Sequence, residues 1–435
     1  MKLRKPRPWL SNVPGIRLRA RGAMINKKQR ASIPRGERVN VFTKSRAETT
    51  DDPNYAGASR SWVELATNRR AASEWTAMGD ELRSRGELGA ALRCYERALA
   101  VGGDPALKHM RAAEAALLLG DFERAWPHYE FRHHDPRSQD CLVPEYPFPL
   151  WNGEPLRDKT VLLRREYDCS DEIMFASVVP EIVHEARHVV LACHPGLERL
   201  FTHSFPAATV VSEKSDTRRL LSVVTEPGAV DFQAFLGSVP RFRRRSLEQF
   251  PRRARYLHPD PQQALYWRER IDALESNCVV GVRWHQGVQP SDRDWLSTNL
   301  EFWVPILAQS GVVFVSLQDG SAAVDAARVS AQTGIAIHDW RDAVSDIDTT
   351  AALLHELDLI ISVCSPVANL AGALGKSTWI LAPRVPEWRY GISGETMPWY
   401  SHARVFRQNS YGGWGMVIDQ LAEELARFVE MRGVG

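Results

Sequence analysis

Residues 357–383, LDLIISVCSPVANLAGALGKSTWILAP, restrict the fold more than any other stretch of this chain. Leu357 to Val363 is an apolar run of buried-strand length. Cys364-Ser365-Pro366 breaks it: Ser is a good N-cap, and Pro suits a first helical turn, where its missing N–H would be unpaired anyway. Val367 to Leu374 then places small residues on a short helix. Gly375 is positioned to end that helix, and Thr378 to Leu381 starts another strand. A helix that begins at the carboxyl end of a parallel strand aims free N–H groups and a positive dipole end at whatever lies there, which favours a phosphate. The stretch therefore predicts a doubly wound α/β domain that could hold a phosphorylated ligand.

The rest of the chain sets bounds on what can surround that unit. Its 435 residues suffice for two or three domains. The net charge of +2 is unevenly spread: residues 1–50 alone carry +12, so the remainder carries −10. The basic character thus belongs to a tail rather than to a groove. Residues 1–60 lack periodicity and are rich in Arg, Lys, Pro, Gly and Ser, which predicts a disordered tail, mostly solvated and able to touch nucleic acid or, peripherally, an anionic membrane surface. Either Met1 or Met24 could be its start. The six cysteines are scattered without a C-x-x-C pair, which suits a reducing, cytoplasmic setting and argues against a disulfide framework or a zinc ribbon. No run of 18 apolar residues and no apolar leader core is present.

Between the tail and the α/β region lies an internal repeat. Gly86, Ala91 and Tyr95 recur as Gly120, Ala125 and Tyr129, each shifted by 34 residues. Trp75, Gly79, Leu82, Ala91, Tyr95, Ala98 and Pro105 fall where the tetratricopeptide pattern asks for large, small and aromatic residues. Small residues let antiparallel helices approach, and aromatics fill the space between them. Two such units cannot stand by stacking alone, so residues 70–135 are expected to pack on the α/β region and to serve as a docking arm for a protein partner. Residues 136–158 are Pro-rich and read as a linker.

From there, strands and helices alternate. Thr160–Arg164, His188–Cys193 and Thr209–Val211 read as strands of a first Rossmann-like domain over residues 159–265. Glu172–Glu185 and Leu197–Phe205 read as its helices. Val279–Trp284, Val312–Leu317, Ile335–Ile337, Leu359–Val363 and Thr378–Leu381 read as strands of a second, over residues 276–435. The run MVIDQLAEELARFVEM is apolar at helical spacing and is expected to form a terminal helix packing back toward the first domain. Seven arginines between residues 240 and 255 lack the interleaved aromatics of a nucleic-acid surface and read as a solvated or interdomain loop; no specific nucleic-acid partner is expected.

Several segments together resemble a known family. LWNGEPLRDKTVLL, VVGVRWHQG, FVSLQ, DTTAALLHELDLIISVCSPVANLAGALGKSTWILAP, VPEWRYG and MPWYSHARVFRQ occur in this order over residues 150–425. With the upstream repeats, they resemble bacterial tetratricopeptide-containing glycosyltransferases related to family 9, the ADP-heptose:lipopolysaccharide heptosyltransferases. The resemblance implies an α/β fold of the GT-B type, a pair of Rossmann-like domains preceded by a short α-helical tetratricopeptide region. It also implies transfer of a sugar from a nucleotide-sugar to a glycan or protein acceptor, with inversion and without a metal or further cofactor. The acceptor would occupy the first domain and the donor the second.

The resemblance also carries site residues. Family members have a Gly-rich turn ending in Gly-Asp after the first strand, the Asp being the presumed general base. Here the turn reads Tyr167-Asp168-Cys169-Ser170-Asp171, which keeps Asp171 and lacks the glycines. Asp171 is thus the candidate catalytic base; with Ser170 it could equally be a helix cap. The family's Asp-Thr-x-x-x-His reads Cys364-Ser365-Pro366-Val367-Ala368-Asn369, leaving Ser365 and Asn369 as donor-binding candidates. Arg283, His285 and Arg293 follow the first strand of the second domain, and Arg384 and Arg389 follow its last. Of these, Arg283, Arg293 and Arg384 are the donor-binding candidates, offsetting a diphosphate. Trp388 could stack on the donor's base or pack in the core. His184-Glu185-Ala186-Arg187-His188 spells a zinc-protease motif, but the helix is expected to end near Ala186 and separate the two rings. Two classes of function therefore fit the residues: a glycosyltransferase, and a catalytically impaired protein of the same fold acting as a binding adaptor.

Overall fold

A computed structural model describes residues 53–102, 105–134, 146–166, 168–213, 229–286, 296–319, 323–410 and 413–433. The expectation for the basic tail falls almost wholly outside them, as do Tyr167 and Arg293. Among the described residues no helix is long and apolar enough to cross a membrane.

Two separate sheets form the α/β part. The first has the order β3-β2-β1-β4, from β1 (Thr160–Arg164), β2 (His188–Cys193), β3 (Thr209–Ser212) and β4 (Phe232–Phe235), all parallel. The second has the order β10-β11-β9-β8-β5-β6-β7. It contains β5 (Val279–Arg283), β6 (Val313–Ser316), β7 (Ile337–Asp339), β8 (Leu359–Val363), β9 (Thr378–Ala382), β10 (Thr396–Met397) and β11 (Tyr400–Arg407). Only the β10–β11 pair is antiparallel. Both sheets are apolar on both faces, as covered parallel sheets must be. Leu359, Ile361 and Val363 of β8 join one core cluster while Ile360 joins another. This is the two-domain Rossmann-like pair expected from the sequence, in a GT-B-like arrangement.

The order of strands fixes where a ligand can sit. β1 lies between β2 and β4, and β5 lies between β6 and β8, so the direction of winding reverses beside each. Ligands of open α/β sheets bind outside the carboxyl ends of strands at such reversals. The ends of β1 and β5 therefore define the cleft.

The helix Pro366–Ala373 joins the domains. Ser365 caps it, accepting from the Ala368 N–H at 3.2 Å. At its other end the Gly375 N–H donates to Gly372 and the Lys376 N–H to Ala371, closing a Schellman motif with Gly375 at φ +75°. A Cβ on Gly375 would also run into the Ala254 carbonyl of the segment that crosses between the domains. Gly375→Ala is accordingly expected to lower stability by ~2 kcal/mol or more, from the left-handed backbone alone before the clash is added. Urea unfolding checks this; an unchanged midpoint would refute it.

Helices α1 (Pro53–Ser84), α2 (Leu88–Val101), α3 (Pro105–Leu119) and α4 (Phe122–Tyr129) form the arm, each packing on the next. The recurring residues have matching roles. Gly86 and Gly120 each take positive φ and end α1 and α3 with the same pair of hydrogen bonds. Ala91, Tyr95, Ala125 and Tyr129 are all buried. A Cβ on Gly79 would lie 2.5 Å from the Tyr95 ring, so the small residue is what admits the aromatic.

The arm is docked rather than free. Phe122, Trp126 and Tyr129 of α4 meet Phe175 of the first domain, Phe250 of the crossing segment and Trp388 of the second domain. The Trp126 indole donates to the Arg244 carbonyl at 2.6 Å. The Ile392 N–H donates to the Leu118 carbonyl at 3.0 Å.

Two expectations are revised and a third is narrowed. The terminal helix, Gly415–Gly433, does not reach the first domain. Its Val417, Ile418, Leu421 and Leu425 cover the outer face of the second sheet, where Trp379, Leu381 and Phe406 present a matching apolar surface. The described part of the Pro-rich stretch is not a loose linker, because Leu150 bridges to Gln233 and extends the first sheet past β4. The Arg-rich segment is interdomain but only partly solvated: Arg244 is buried and holds Glu181 at 3.0 and 2.5 Å.

Candidate active site at the domain boundary

The short helix α5 (Cys169–Phe175) starts beside the carboxyl end of β1. Its cap is Asp168, whose side chain accepts from the Asp171 N–H at 2.9 Å. Capping therefore does not use the Asp171 carboxylate, which the sequence left open between cap and base. That carboxylate instead accepts from Arg389 Nη2 at 2.9 Å, across the domain boundary. One residue earlier, Ser170 Oγ accepts from Asn369 Nδ2 at 2.6 Å. The start of α5 thus meets the second domain through two polar contacts: a neutral one to the Pro366–Ala373 helix, and a charged one to the Trp388–Tyr390 turn.

The surroundings of Asp171 are acidic. Burial and the nearby Asp168 carboxylate push its pKa from 3.8 up to about 7; Glu166 and Glu387 push the same way, and Arg389 opposes them. Asp171 still keeps 19% of its side chain exposed. A folded carboxyl that holds its proton to about pH 7, when the unfolded one releases it near 3.8, binds an extra proton between those values. Stability should then fall as pH rises through that window. Asp171→Asn should remove this slope. Urea unfolding at a series of pH values checks it, and parallel profiles for the two proteins would refute it.

Around this pair several charges are fixed. Glu166, just past β1, accepts from Arg132 of the arm at 3.0 and 2.9 Å and from the Gly237 N–H at 2.7 Å. Glu172 is buried, accepts from the His194 N–H at 2.8 Å, and burial raises its pKa. Arg389 is buried, and its Nε has no hydrogen-bond partner, the Glu387 carboxylate being 3.7 Å away.

The structure places the donor-binding candidates unevenly. Asn369 lies at the boundary, buried, with Oδ1 lacking a partner. Ser365 lies close by in sequence, but its hydroxyl is spent on the helix cap and on Ser362 Oγ at 2.8 Å, and it is 1% exposed. With Pro366 lacking an N–H and the Ala368 N–H taken, little of a phosphate cradle is left there. Arg283 points into the second domain, fully buried, donating to the Leu317 and Gln286 carbonyls at 2.7 and 2.9 Å. Arg384 reaches the arm, donating to the Arg85 carbonyl at 3.2 Å. Trp388 does not present an open face for a base: Trp126, Tyr129, Phe175 and Trp399 surround it with ring centroids 5.7 to 6.4 Å away. In the zinc-protease look-alike the helix ends at Glu185, and the His188 ring on β2 bonds Thr209 at 2.9 Å.

Two residues at the cleft escape sequence reasoning. Motif position marks Arg389 only as a basic residue after the last strand and assigns it no partner. Asp319 follows β6 by three residues. It is 2% exposed, stands 3.8 Å from Arg283, and has no hydrogen-bond partner at either oxygen. Its place just after FVSLQ, past the end of a strand next to the reversal, is the signal that could have found it.

The fold and the boundary site define the class: a two-domain α/β protein of GT-B-like architecture with a helical arm at its N-terminal side. No family model matches the chain. Protein FlbA of Caulobacter vibrioides is 30% identical over 358 residues, which is 79% of this chain and 59% of that protein. The chain thus spans under two-thirds of that relative's length. Similar solved structures include the glycosyl transferase family 9 of Veillonella parvula (TM-score 0.46, 12% identity, 64% of this chain and 99% of that one). The ADP-heptose lipopolysaccharide heptosyltransferase II of E. coli is another (TM-score 0.46, 12% identity, 63% and 99%). The O-GlcNAc transferase of Thermobaculum terrenum matches over 87% of this chain and 90% of that one, with a TM-score of 0.32 and 13% identity.

Proposed function

We propose that this protein transfers a sugar from a nucleotide-sugar to a hydroxyl of a glycan or protein acceptor, with inversion and without a metal. The observation that carries the reading is the Asp171 carboxyl: it is free of capping duty, raised to about 7, and paired with Arg389 of the opposite domain. A general base works best with a pKa near the working pH. Asp171 takes the acceptor hydroxyl proton as the acceptor oxygen bonds to the anomeric carbon and the bond from that carbon to the phosphate oxygen breaks. Attack from the face opposite the leaving group inverts the centre. Arg389 supplies positive charge for the departing diphosphate. Asp319, a buried carboxylate outside a strand end, suits the hydroxyls of a nucleotide ribose.

The test is a transfer assay over UDP-, GDP-, ADP- and CMP-sugars with chelator present, the product anomer being read by NMR. Turnover to the inverted anomer supports the reading. A donor that binds but is never transferred would sink it in favour of a binding adaptor.

A further inference from the structure

We infer that the seam between the two domains carries an oxyanion-binding site separate from the Asp171 cleft. A small cavity opens there, lined from three sides: Ser177 from the turn after α5, Arg244, Arg253 and Arg255 from the crossing segment, and Trp399 and Tyr400 from the second domain. None of Asp171, Asn369 or Arg389 lines it.

The groups left over in this cavity can all donate: the Ser177 and Tyr400 hydroxyls, which can also accept, and Arg253 Nη1, which cannot. Ser177 is 8% exposed, and its buried hydroxyl has no hydrogen-bond partner. Arg253 Nη1 is likewise buried without one. A buried donor without an acceptor is costly, so its environment calls for one. Charge points the same way. Glu181 is shared by two of the arginines, held by Arg244 at 2.5 Å and standing 3.5 Å from Arg253. Arg255 adds a third cation, leaving an excess of two positive charges around a cavity whose orphaned atoms can donate. Guanidinium groups only donate, so the complementary ligand only accepts and is anionic: a phosphate or a carboxylate. Phe250 and Trp399, 4.9 Å apart edge to face, close the apolar side. Because the lining is drawn from both domains and from the segment between them, a bound anion fastens them together and stabilises the fold by mass action.

The experiment is calorimetric titration of the full chain with inorganic phosphate and, separately, acetate at constant ionic strength, with thermal unfolding in parallel. Saturable binding of either ion and a rise in Tm are expected, and the better ion identifies the class of oxyanion. Arg253→Met should weaken binding about tenfold, the loss of a charged hydrogen bond. Ser177→Ala should weaken it less. Arg255→Met, at an exposed position that leaves folding alone, should also weaken it. Arg389→Met should bind as the wild type does. No saturable binding of either ion, or seam variants that bind as tightly as the wild type, would overturn the site. So would binding lost in Arg389→Met and kept in the seam variants, which would assign the anion to the cleft.

Discussion

Asp171→Asn is expected to reduce kcat by about 10² to 10⁴, the usual worth of a positioned general base. Donor affinity should stay near its wild-type value, because the amide fills the same volume and its oxygen can still accept from Arg389 Nη2, now 2.9 Å from the carboxylate. The pH profile is the sharper readout. The base must be ionised to act, and the Asp171 carboxyl is pushed up to about 7. In the wild type kcat/KM should therefore rise about tenfold per pH unit below 7 and level off above it. The residual activity of the Asn variant should lack that limb. Arg389→Gln should move the limb to higher pH, since the guanidinium is what holds the carboxyl down against Asp168, Glu166 and Glu387. A variant at Asp171 with wild-type rate and the same limb would assign the base elsewhere. The neighbouring carboxylates are poor substitutes: Asp168 caps α5, and Glu166 is held by Arg132 and the Gly237 N–H.

The range of each interaction decides whether the sequence reveals it. β1, β2 and β8 are short apolar runs between clear breakers, and their limits are readable. β4 is not, because Phe232–Phe235 carries Gln233, whose side chain pairs with Arg164 inside the sheet, so the run is not apolar. β11 is hidden too: Tyr400–Arg407 mixes Ser, His and Arg with its apolar residues, as a strand near a sheet edge can. The terminal helix is recognisable by its period, but periodicity says that a face is apolar and not which surface receives it. At the candidate site, the sequence leaves Asp171 open between base and cap and does not point to Asp168, which caps α5. The partner of the Asp171 carboxylate, Arg389, is 218 residues away in the chain. Arg283 and Ser365 look exposed to a ligand because each follows or ends a strand. Their burial depends on the Leu317 carbonyl and the Ser362 hydroxyl, partners that motif spacing does not specify.

Trp126→Ala is expected to destabilise the protein by about 3–5 kcal/mol, the range for deleting a buried aromatic side chain. Trp126 is 1% exposed and is the point where the arm meets both the crossing segment and the second domain. Its ring stands 5.8 Å from Tyr129 and 6.4 Å from Trp388, and its N–H is tied to the Arg244 carbonyl. Removing it leaves a cavity and an unpaired carbonyl where three parts of the molecule join. The damage should appear first in the arm, as faster protease cleavage between α2 and α4, because Trp126 is its largest fully buried side chain at the joint and the polar ties beside it include exposed ones, such as Arg245 to Glu123 and Arg384 to Arg85. Trp126→Phe keeps most of the buried area and loses the hydrogen bond, so it should cost only about 1–3 kcal/mol. Since Arg132 reaches Glu166 beside the Asp171 turn, a loosened arm should also change the Asp171 limb of the pH profile. An Ala variant with wild-type stability and wild-type protease resistance would mean that the arm is not held at this joint, and that its contact with Glu166 does not bear on the cleft.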